Sequence, residues 1–188
     1  MRQIHRPCGS PHERTLIVKP ALHMATALHP LSIYDPDTVP SAAAYRFAVV
    51  VSEWNTAITS ALASGCIETL EKHGAKAIEV FHVPGSFELS SAAGKLADTE
   101  RFDAIICLGC VIQGETRHFD FICEAVANGL TQVGIQYKVP AIFGVLTTQN
   151  QAQAEARSGG ALGNKGVEAA VTAIKMAAFF GQADDLKA

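Results

Sequence analysis

Four apolar runs with strand composition alternate with helical segments along most of this chain. The runs occupy residues 45–52, 77–83, 103–112 and 141–148. Between and after them, apolar residues recur three or four positions apart, as at Ile58 and Leu62. Parallel neighbours in a sheet need long crossover connections, which are usually helices. The alternation therefore predicts an α/β fold with a four-stranded parallel sheet and helices on both faces.

Start and stop signals bound the helices. Asn55 or Thr56 is predicted to cap the first helix, and Gly74 to end it. Ser86 is predicted to cap a second helix that runs to about residue 97. Further helices are expected at about 118–137, 151–157 and 165–180, with the glycine-rich segment SGGALGN between the last two.

Length and composition suggest one domain with an extension in front of it. The chain has 188 residues, 48% of them hydrophobic, which is enough for one substantial core. We place the domain at residues 45–188. Residues 1–44 contain most of the prolines without sustained periodicity, so we expect an irregular or partly disordered N-terminal extension. A transit peptide is the weaker alternative for this segment, because Ser and Arg are sparse in it.

Composition also excludes several partner classes. The formal charge is −3 and the basic residues are scattered, so no nucleic-acid surface is expected. No apolar stretch approaches the roughly 20 residues that cross a bilayer, so no membrane insertion is expected. The five cysteines are an odd number and most lie in apolar helix or strand patterns, which favours reduced thiols and a cytoplasmic protein.

The loops that follow the four strands should gather at one edge of the sheet, where open α/β sheets bind ligands. Trp54 follows the first strand, and its indole is either a platform for a flat heterocycle or a packing residue at the rim. Asn55 beside it is either a ligand contact or only a helix cap. Glu88, after the second strand, either accepts donors from a polar heterocycle or serves as a capping partner at a helix start.

The loop after the third strand offers an anion site and a proton carrier. The GET turn at 114–116 leads into a helix, so its N–H groups and a hydroxyl suit one phosphate. His118 is either a proton shuttle, a role common for histidine side chains, or a structural residue. Arg157 and Lys165 flank the glycine-rich segment, where they suit a phosphate or are simply solvated charges.

The spacing of Cys107 and Cys110 is that of a redox pair or half a metal site. Redox pairs normally sit at a helix N-terminus, whereas Cys107 falls within a predicted strand. No second cysteine pair completes a zinc site. Two buried thiols are therefore the preferred interpretation.

Five motifs in register resemble the lumazine synthase family over residues 45 to about 180. They are WN-x-x-IT at 54–59, VPGSFEL at 83–89, GCVIQGETRHFDFI at 109–122, VPAIFGVLTT at 139–148 and GNKGVEAA at 163–170. The resemblance implies a flavodoxin-like three-layer sandwich. It also implies the penultimate step of riboflavin synthesis, in which 5-amino-6-ribitylaminouracil and 3,4-dihydroxy-2-butanone 4-phosphate form 6,7-dimethyl-8-ribityllumazine. No metal or organic cofactor is implied.

Site residues follow from the resemblance by position. Trp54 takes the place of the family's ring-stacking aromatic, and His118 matches its proton-transfer residue. The other residues implied to bind ribitylaminouracil are Asn55, Ser86, Phe87, Glu88, Cys110, Val111, Ile112, Phe143 and Lys165. Those implied to bind the butanone phosphate are Glu115, Thr116 and Arg157.

Three residues depart from the usual family pattern. Trp54 replaces a Phe, which keeps stacking area but enlarges the ring. Gln113 stands where many members carry a basic residue. Glu115 brings a negative charge close to the expected phosphate, but the backbone N–H can make that contact, so activity is still expected.

The resemblance further implies a homopentamer in which Phe143, Arg157 and Lys165 reach the site of a neighbouring subunit. The segment RSGGALGNKG has no insertion relative to members that build icosahedral shells, which favours a 60-subunit assembly of pentamers. Riboflavin synthase is an implied partner. The alternatives are a homologue that binds a flavin or lumazine without catalysis, and one that acts as a shell.

Overall fold

A computed structural model describes residues 32–186, so the predictions for residues 1–31 lie outside the described part. Its main sheet has four parallel strands in the order β2-β1-β3-β4. The strands are β1 (Arg46–Ser52), β2 (Ala77–Val83), β3 (Ala104–Ile112) and β4 (Ala141–Thr148). The predicted four-stranded parallel sheet is confirmed.

Helices cover both faces of this sheet. They are α1 (Thr56–Lys72), α2 (Leu89–Ala97), α3 (His118–Tyr137), α4 (Gln151–Ala156) and α5 (Lys165–Asp185). The helices α1 and α5 pack on one face, and α2 and α3 on the other. The fold is therefore a three-layer α/β sandwich of the flavodoxin-like type, as predicted. No helix within residues 32–186 is long and apolar enough to cross a membrane.

The central strand β3 divides the core into two halves. Ile106 and Leu108 face α1 and α5, whereas Ile105 and Cys107 face α2 and α3. All four are fully buried, as expected for a strand covered on both sides. Each such aliphatic side chain contributes about 1.5–3 kcal/mol by leaving water.

Part of the segment placed in the N-terminal extension contributes to the core. A short 3₁₀ turn at Pro36–Thr38 leads to Val39 and Ala42, which are both buried. The Ala42 N–H donates a hydrogen bond of 2.8 Å to the carbonyl oxygen of His73, just after α1. Tyr34 Oη lies 3.0 Å from His73 Nε2. Residues 34–42 therefore cover the C-terminal end of α1.

Several local predictions were wrong. Asn55 occupies the N-cap position of α1, but neither its side chain nor that of Thr56 caps the helix. Ser86 begins a 3₁₀ turn (Ser86–Glu88) instead of capping α2. The glycine-rich segment between α4 and α5, for which no strand was predicted, contains an antiparallel hairpin of β5 (Ser158–Gly160) and β6 (Gly163–Asn164). The helix α5 continues to Asp185.

The strand order places the ligand-binding crevice. The connection from β1 leads to β2 on one side of β1, and the connection from β2 crosses back to β3 on the other side. The strand order therefore reverses between β1 and β3. Ligands of open α/β sheets bind beyond the carboxyl ends of the strands at such a reversal. The loops after β1 and β3 flank this point.

Candidate active site

The loops after β1 and β2 are joined by backbone hydrogen bonds. The Glu53 N–H donates to the Val83 carbonyl oxygen at 2.8 Å, and the Trp54 N–H to that of Pro84 at 3.1 Å. The Trp54 side chain is 64% exposed, yet one part of its ring lies against Gly85. A β-carbon added to Gly85 would be only 2.6 Å from indole Cε3. Trp54 is thus supported by a glycine backbone and open to a ligand on its exposed surface.

Asn55 links the β1 loop to the central strand. Its Nδ2 group donates a hydrogen bond of 3.0 Å to the carbonyl oxygen of Cys110 in β3. The residue adopts the left-handed conformation, with φ 60° and ψ 43°. Asparagine tolerates this region better than most side chains do, although some strain remains. The hydrogen bond holds the residue next to Trp54 against the central strand.

The turn after β2 closes over β3. Ser86 is buried above Gly109, where an added β-carbon would lie 2.6 Å from Ser86 Oγ. No partner for the Ser86 hydroxyl is present within the described residues. A buried hydroxyl without a partner costs about 1–3 kcal/mol, so this atom is suited to meet a polar ligand.

Glu88 makes the capping contact that was predicted as the alternative to ligand binding. Its Oε2 atom accepts a hydrogen bond of 3.0 Å from the Gly85 N–H at the start of the same turn. The carboxylate has a second oxygen for which the described residues show no hydrogen bond, and the side chain is only partly buried. Capping and ligand contact are therefore compatible for Glu88.

The end of β3 forms the wall of the crevice. Cys110 is buried, and Val111 and Ile112 are partly buried. Cys107 and Cys110 belong to opposite halves of the core, so their thiols do not face each other. Burial raises the pKa of Cys107 to about 12 and that of Cys110 to about 11. Both thiols are neutral packing groups, in agreement with the preferred interpretation.

The turn from β3 to α3 is held by hydrogen bonds of Gln113, and the residues that follow Gln113 are exposed. The Gln113 N–H donates a hydrogen bond of 2.8 Å to Thr148 at the end of β4, and its amide Nε2 donates to Gly114 at 2.8 Å. Glu115 and Thr116 are exposed at the turn. The free N–H groups at the start of α3 lie beside them and favour an anion.

His118 is the first residue of α3, and its side chain is exposed. Its backbone N–H lies 3.4 Å from Thr116 Oγ1. Within residues 32–186, no hydrogen-bonding or charged group lies at bonding distance from the imidazole ring. The ring is therefore accessible to a ligand held at the turn.

Three predicted site residues lie apart from this cluster. Phe143 pairs with Cys107 near the middle of the sheet and packs on the α2/α3 side. Arg157 and Lys165 stand at the two ends of the β5–β6 hairpin. No hydrogen bond or ion pair within residues 32–186 connects them with the Trp54 loop. Phe87 lies in the cluster and is 55% exposed.

Among the described residues, no group of three or more His, Cys, Asp and Glu side chains is arranged to hold a metal ion. The arrangement instead offers an aromatic surface, a buried hydroxyl, carboxylates, an anion-binding turn and an imidazole. These groups suit a polar heterocycle next to an anionic ligand.

Comparison with known proteins identifies the family. The model of the 6,7-dimethyl-8-ribityllumazine synthase family matches residues 44–180. The chain is 52% identical over 158 residues to the synthase of that name from Parabacteroides distasonis, covering 83% of this chain and 99% of the relative. It is 53% identical over 156 residues to the one from Porphyromonas gingivalis, covering 82% and 97%. The Flavobacterium johnsoniae protein of the same name is 51% identical, with 82% of each chain covered.

The chain belongs to the lumazine synthase family. This confirms the resemblance drawn from the five motifs. The ring of Trp54 is accommodated because Gly85 has no side chain.

Two features of this lumazine synthase family member were not predicted. One is the contact of Trp54 with Gly85, for which the only sequence signal was the Pro-Gly pair before the turn. The other is the role of Asn164, whose Nδ2 group donates to Ala61 in α1 at 2.9 Å. Asn164 lies within the quoted motif GNKGVEAA, but nothing in that motif indicates its partner in α1.

Proposed function

We propose that this protein condenses 5-amino-6-(D-ribitylamino)uracil with 3,4-dihydroxy-2-butanone 4-phosphate to 6,7-dimethyl-8-ribityllumazine, as a transferase of riboflavin biosynthesis. Family membership over residues 44–180 carries the proposal. The geometry supports it, because the aromatic, hydroxyl, carboxylate and imidazole groups converge at the sheet reversal where ligands bind. The binding roles of single residues, given next, are part of the proposal.

The pyrimidine ring stacks on the exposed surface of Trp54, with Phe87 beside it. The polar ribityl and ring groups meet Ser86, Glu88 and Asn55. The unpartnered hydroxyl of Ser86 supports this assignment, since a ligand hydroxyl would satisfy it. Backbone groups of Cys110, Val111 and Ile112 form the facing wall.

The butanone phosphate binds at the turn before α3. Glu115 and Thr116 present backbone N–H groups there, and the positive end of the helix dipole favours the phosphate charge. Arg157 supplies a guanidinium, which matches phosphate oxygens in a two-point geometry. The negative side chain of Glu115 is exposed and can point into solvent.

His118 moves protons in each chemical step. The 5-amino group attacks the ketone and loses water to give an imine. Deprotonation next to the imine leads to loss of the phosphate and formation of an enol, which tautomerises to a ketone. The ribitylamino nitrogen then adds to that carbonyl and closes the second ring with loss of another water. An imidazole near pH 7 can accept a proton in one step and return it in the next.

Much of the remaining acceleration comes from holding the two reactants together. Such alignment is worth up to roughly 7–11 kcal/mol in favourable cases. The loops around Trp54 and Asn55 are suited to aligning the reactants, because four hydrogen bonds and close contacts hold these loops in place.

Assembly completes the site. Phe143, Arg157 and Lys165 reach the site of a neighbouring subunit in a homopentamer, and pentamers assemble into a 60-subunit shell that can associate with riboflavin synthase. Phe143 is only partly buried, which leaves part of its side chain available to a neighbouring subunit. The cysteines of the described residues are free thiols, which supports a cytoplasmic protein.

A two-substrate assay tests the function. The purified full-length chain is mixed with both substrates, and lumazine formation is followed by absorbance. We expect product, with a requirement for both substrates. Binding of the ribitylaminouracil without any product would show a non-catalytic homologue instead. Sedimentation of the full chain and of a chain beginning at residue 32 tests the assembly, and a single small species in both would exclude the pentamer and the shell.

A further inference from the structure

The side chain of Asn164 joins the hairpin between α4 and α5 to α1. Its Nδ2 group donates a hydrogen bond of 2.9 Å to the carbonyl oxygen of Ala61, inside α1. Its Oδ1 atom accepts a hydrogen bond of 2.8 Å from the Gly166 N–H and so caps α5. One side chain therefore determines both where α5 begins and where the hairpin lies relative to α1.

Two glycines make room for this contact. A β-carbon on Gly65 of α1 would lie 2.6 Å from Asn164 Nδ2. A β-carbon on Gly166 would overlap the carbonyl oxygen of Leu62. A side chain at either position would push α5 or Asn164 away from α1, so the close approach depends on both glycines.

The hairpin held in this way carries one cation at each end. The Lys165 N–H donates a hydrogen bond of 2.9 Å to the carbonyl oxygen of Arg157, which ties the two ends together. The Lys165 ammonium lies 2.9 Å from the carboxylate of Glu168, whose side chain is mostly buried. Arg157 is partly buried, and within residues 32–186 its guanidinium has no hydrogen-bonding or ionic partner. A ligand anion would supply the missing charge.

We propose that Asn164 is a positioning residue for phosphate binding: it holds Arg157 and Lys165 where they meet the substrates. This proposal rests on the proposed function, which gives those two cations their roles. Asn164 itself does not touch the substrate. It acts through the backbone of the hairpin, because a shift of Asn164 away from α1 moves both ends that the Lys165–Arg157 bond connects.

Three variants separate the tether from the helix cap. Asn164→Ala removes both hydrogen bonds. Asn164→Asp keeps the acceptor that caps α5 but loses the donor to Ala61, and places a carboxylate against that carbonyl oxygen. Asn150→Ala is the matched control, because Asn150 caps α4 by accepting from the Gln153 N–H at 2.9 Å. It loses the same kind of cap without touching α1.

The first readout does not need turnover. Binding of inorganic phosphate to the full-length assembled protein is measured by calorimetry, and the KM for the butanone phosphate is measured where the enzyme is active. We expect Asn164→Ala and Asn164→Asp to weaken both by roughly five- to tenfold, as for loss of one or two buried hydrogen bonds, and Asn150→Ala by less than about twofold. If Asn164→Ala fails to fold, the positioning role is judged from Asn164→Asp alone, because that variant keeps the cap of α5.

A double-variant cycle tests whether the effect runs through Arg157. In an Arg157→Ala background, Asn164→Asp should weaken phosphate binding no further, because residues that act together are not additive. The positioning role would be overturned if the two substitutions weakened phosphate binding additively, or if Asn164→Asp bound phosphate normally. The proposed function would then still stand, provided that the wild type turns over. Phosphate binding that depends on Asn164 in a protein without turnover would support the positioning role while contradicting the function. A wild type that binds no phosphate overturns the positioning role.

Discussion

The indole ring of Trp54 packs against the backbone of Gly85, so closely that a β-carbon there would lie 2.6 Å from it. Gly85 also donates its N–H to Glu88, and the Trp54 N–H bonds to Pro84 immediately before it. One residue without a side chain thus supports the aromatic surface and the carboxylate that are proposed to hold the same ring. The larger aromatic at position 54 depends on this space.

Replacing Gly85 with Ala should displace the Trp54 ring. We expect the KM for ribitylaminouracil to rise roughly two- to tenfold, the loss expected when an aromatic stacking contact worth about 0.5–1.5 kcal/mol is misplaced. Because Trp54 is the only tryptophan of the chain, its fluorescence should change as well.

Gly94→Ala is the control for that variant. An added β-carbon on this α2 residue meets its nearest atoms at 3.6 and 4.0 Å, which are ordinary contacts. It should leave the KM unchanged and stabilise the helix by about 0.5–1 kcal/mol. Unchanged fluorescence and KM in Gly85→Ala would show that the glycine does not support the ring.

Substitutions of Asn55 should separate the cost of its left-handed backbone from the loss of its side-chain hydrogen bond. Asn55→Ala and Asn55→Gly both lose the 3.0 Å hydrogen bond to Cys110, but only Ala has to adopt φ 60° with a β-carbon. We therefore expect Asn55→Ala to be less stable than Asn55→Gly by about 1–2 kcal/mol in urea unfolding. Equal stabilities would mean that the left-handed conformation at this position is not maintained.

His118→Ala should slow turnover without abolishing substrate binding. We expect kcat to fall roughly 100-fold, at the lower end of the range for proton-transfer groups, because alignment of the reactants is kept. The KM values should change little. His73→Gln, at the opposite end of the sheet, is the control and should leave kcat unchanged. A normal rate in His118→Ala would remove this residue from the mechanism.

The contact between residues 34–42 and α1 should weaken in mild acid. Burial, and secondarily the charge of Lys72, lower the pKa of His73 below its usual 6.5 in the folded protein. The folded state therefore binds fewer protons than the unfolded state between the two pKa values, and stability falls as the pH drops through that window. Melting temperatures measured from pH 7 to pH 5 should fall less steeply in His73→Gln than in the wild type. Identical slopes would assign the acid sensitivity to other groups.

Long apolar elements were predictable because their own residues determine them. The strand β3 is buried on both faces and reads as an uninterrupted apolar run, and α3 occupies His118–Tyr137 as predicted. Features that depend on distant partners were missed. The Asn55 side chain was expected to cap its own helix, but it bonds to a residue 55 positions away. The hairpin at 158–164 depends on α1 in the same way, through Asn164.

For the site, position in the sheet was the reliable guide. Trp54, Ser86 and Glu88 could be placed at one edge because parallel strands bring their following loops together. The contacts among these loops could not be derived, since they depend on glycines at positions 85 and 109 that leave room for particular neighbours. Phe143 shows a further limit, because the structure places it in mid-sheet on the α2/α3 side, away from the other predicted site residues.

Val39 and Ala42 show that the folded core begins earlier in the chain than the match to the family model does. The family model matches from residue 44, yet these two side chains, ahead of it, are already enclosed by the protein. A fragment trimmed to the limits of that model would expose the end of α1 and lose apolar burial. Anyone shortening the chain for display or crystallisation should therefore choose the cut from solvent exposure and not from the limits of the family model.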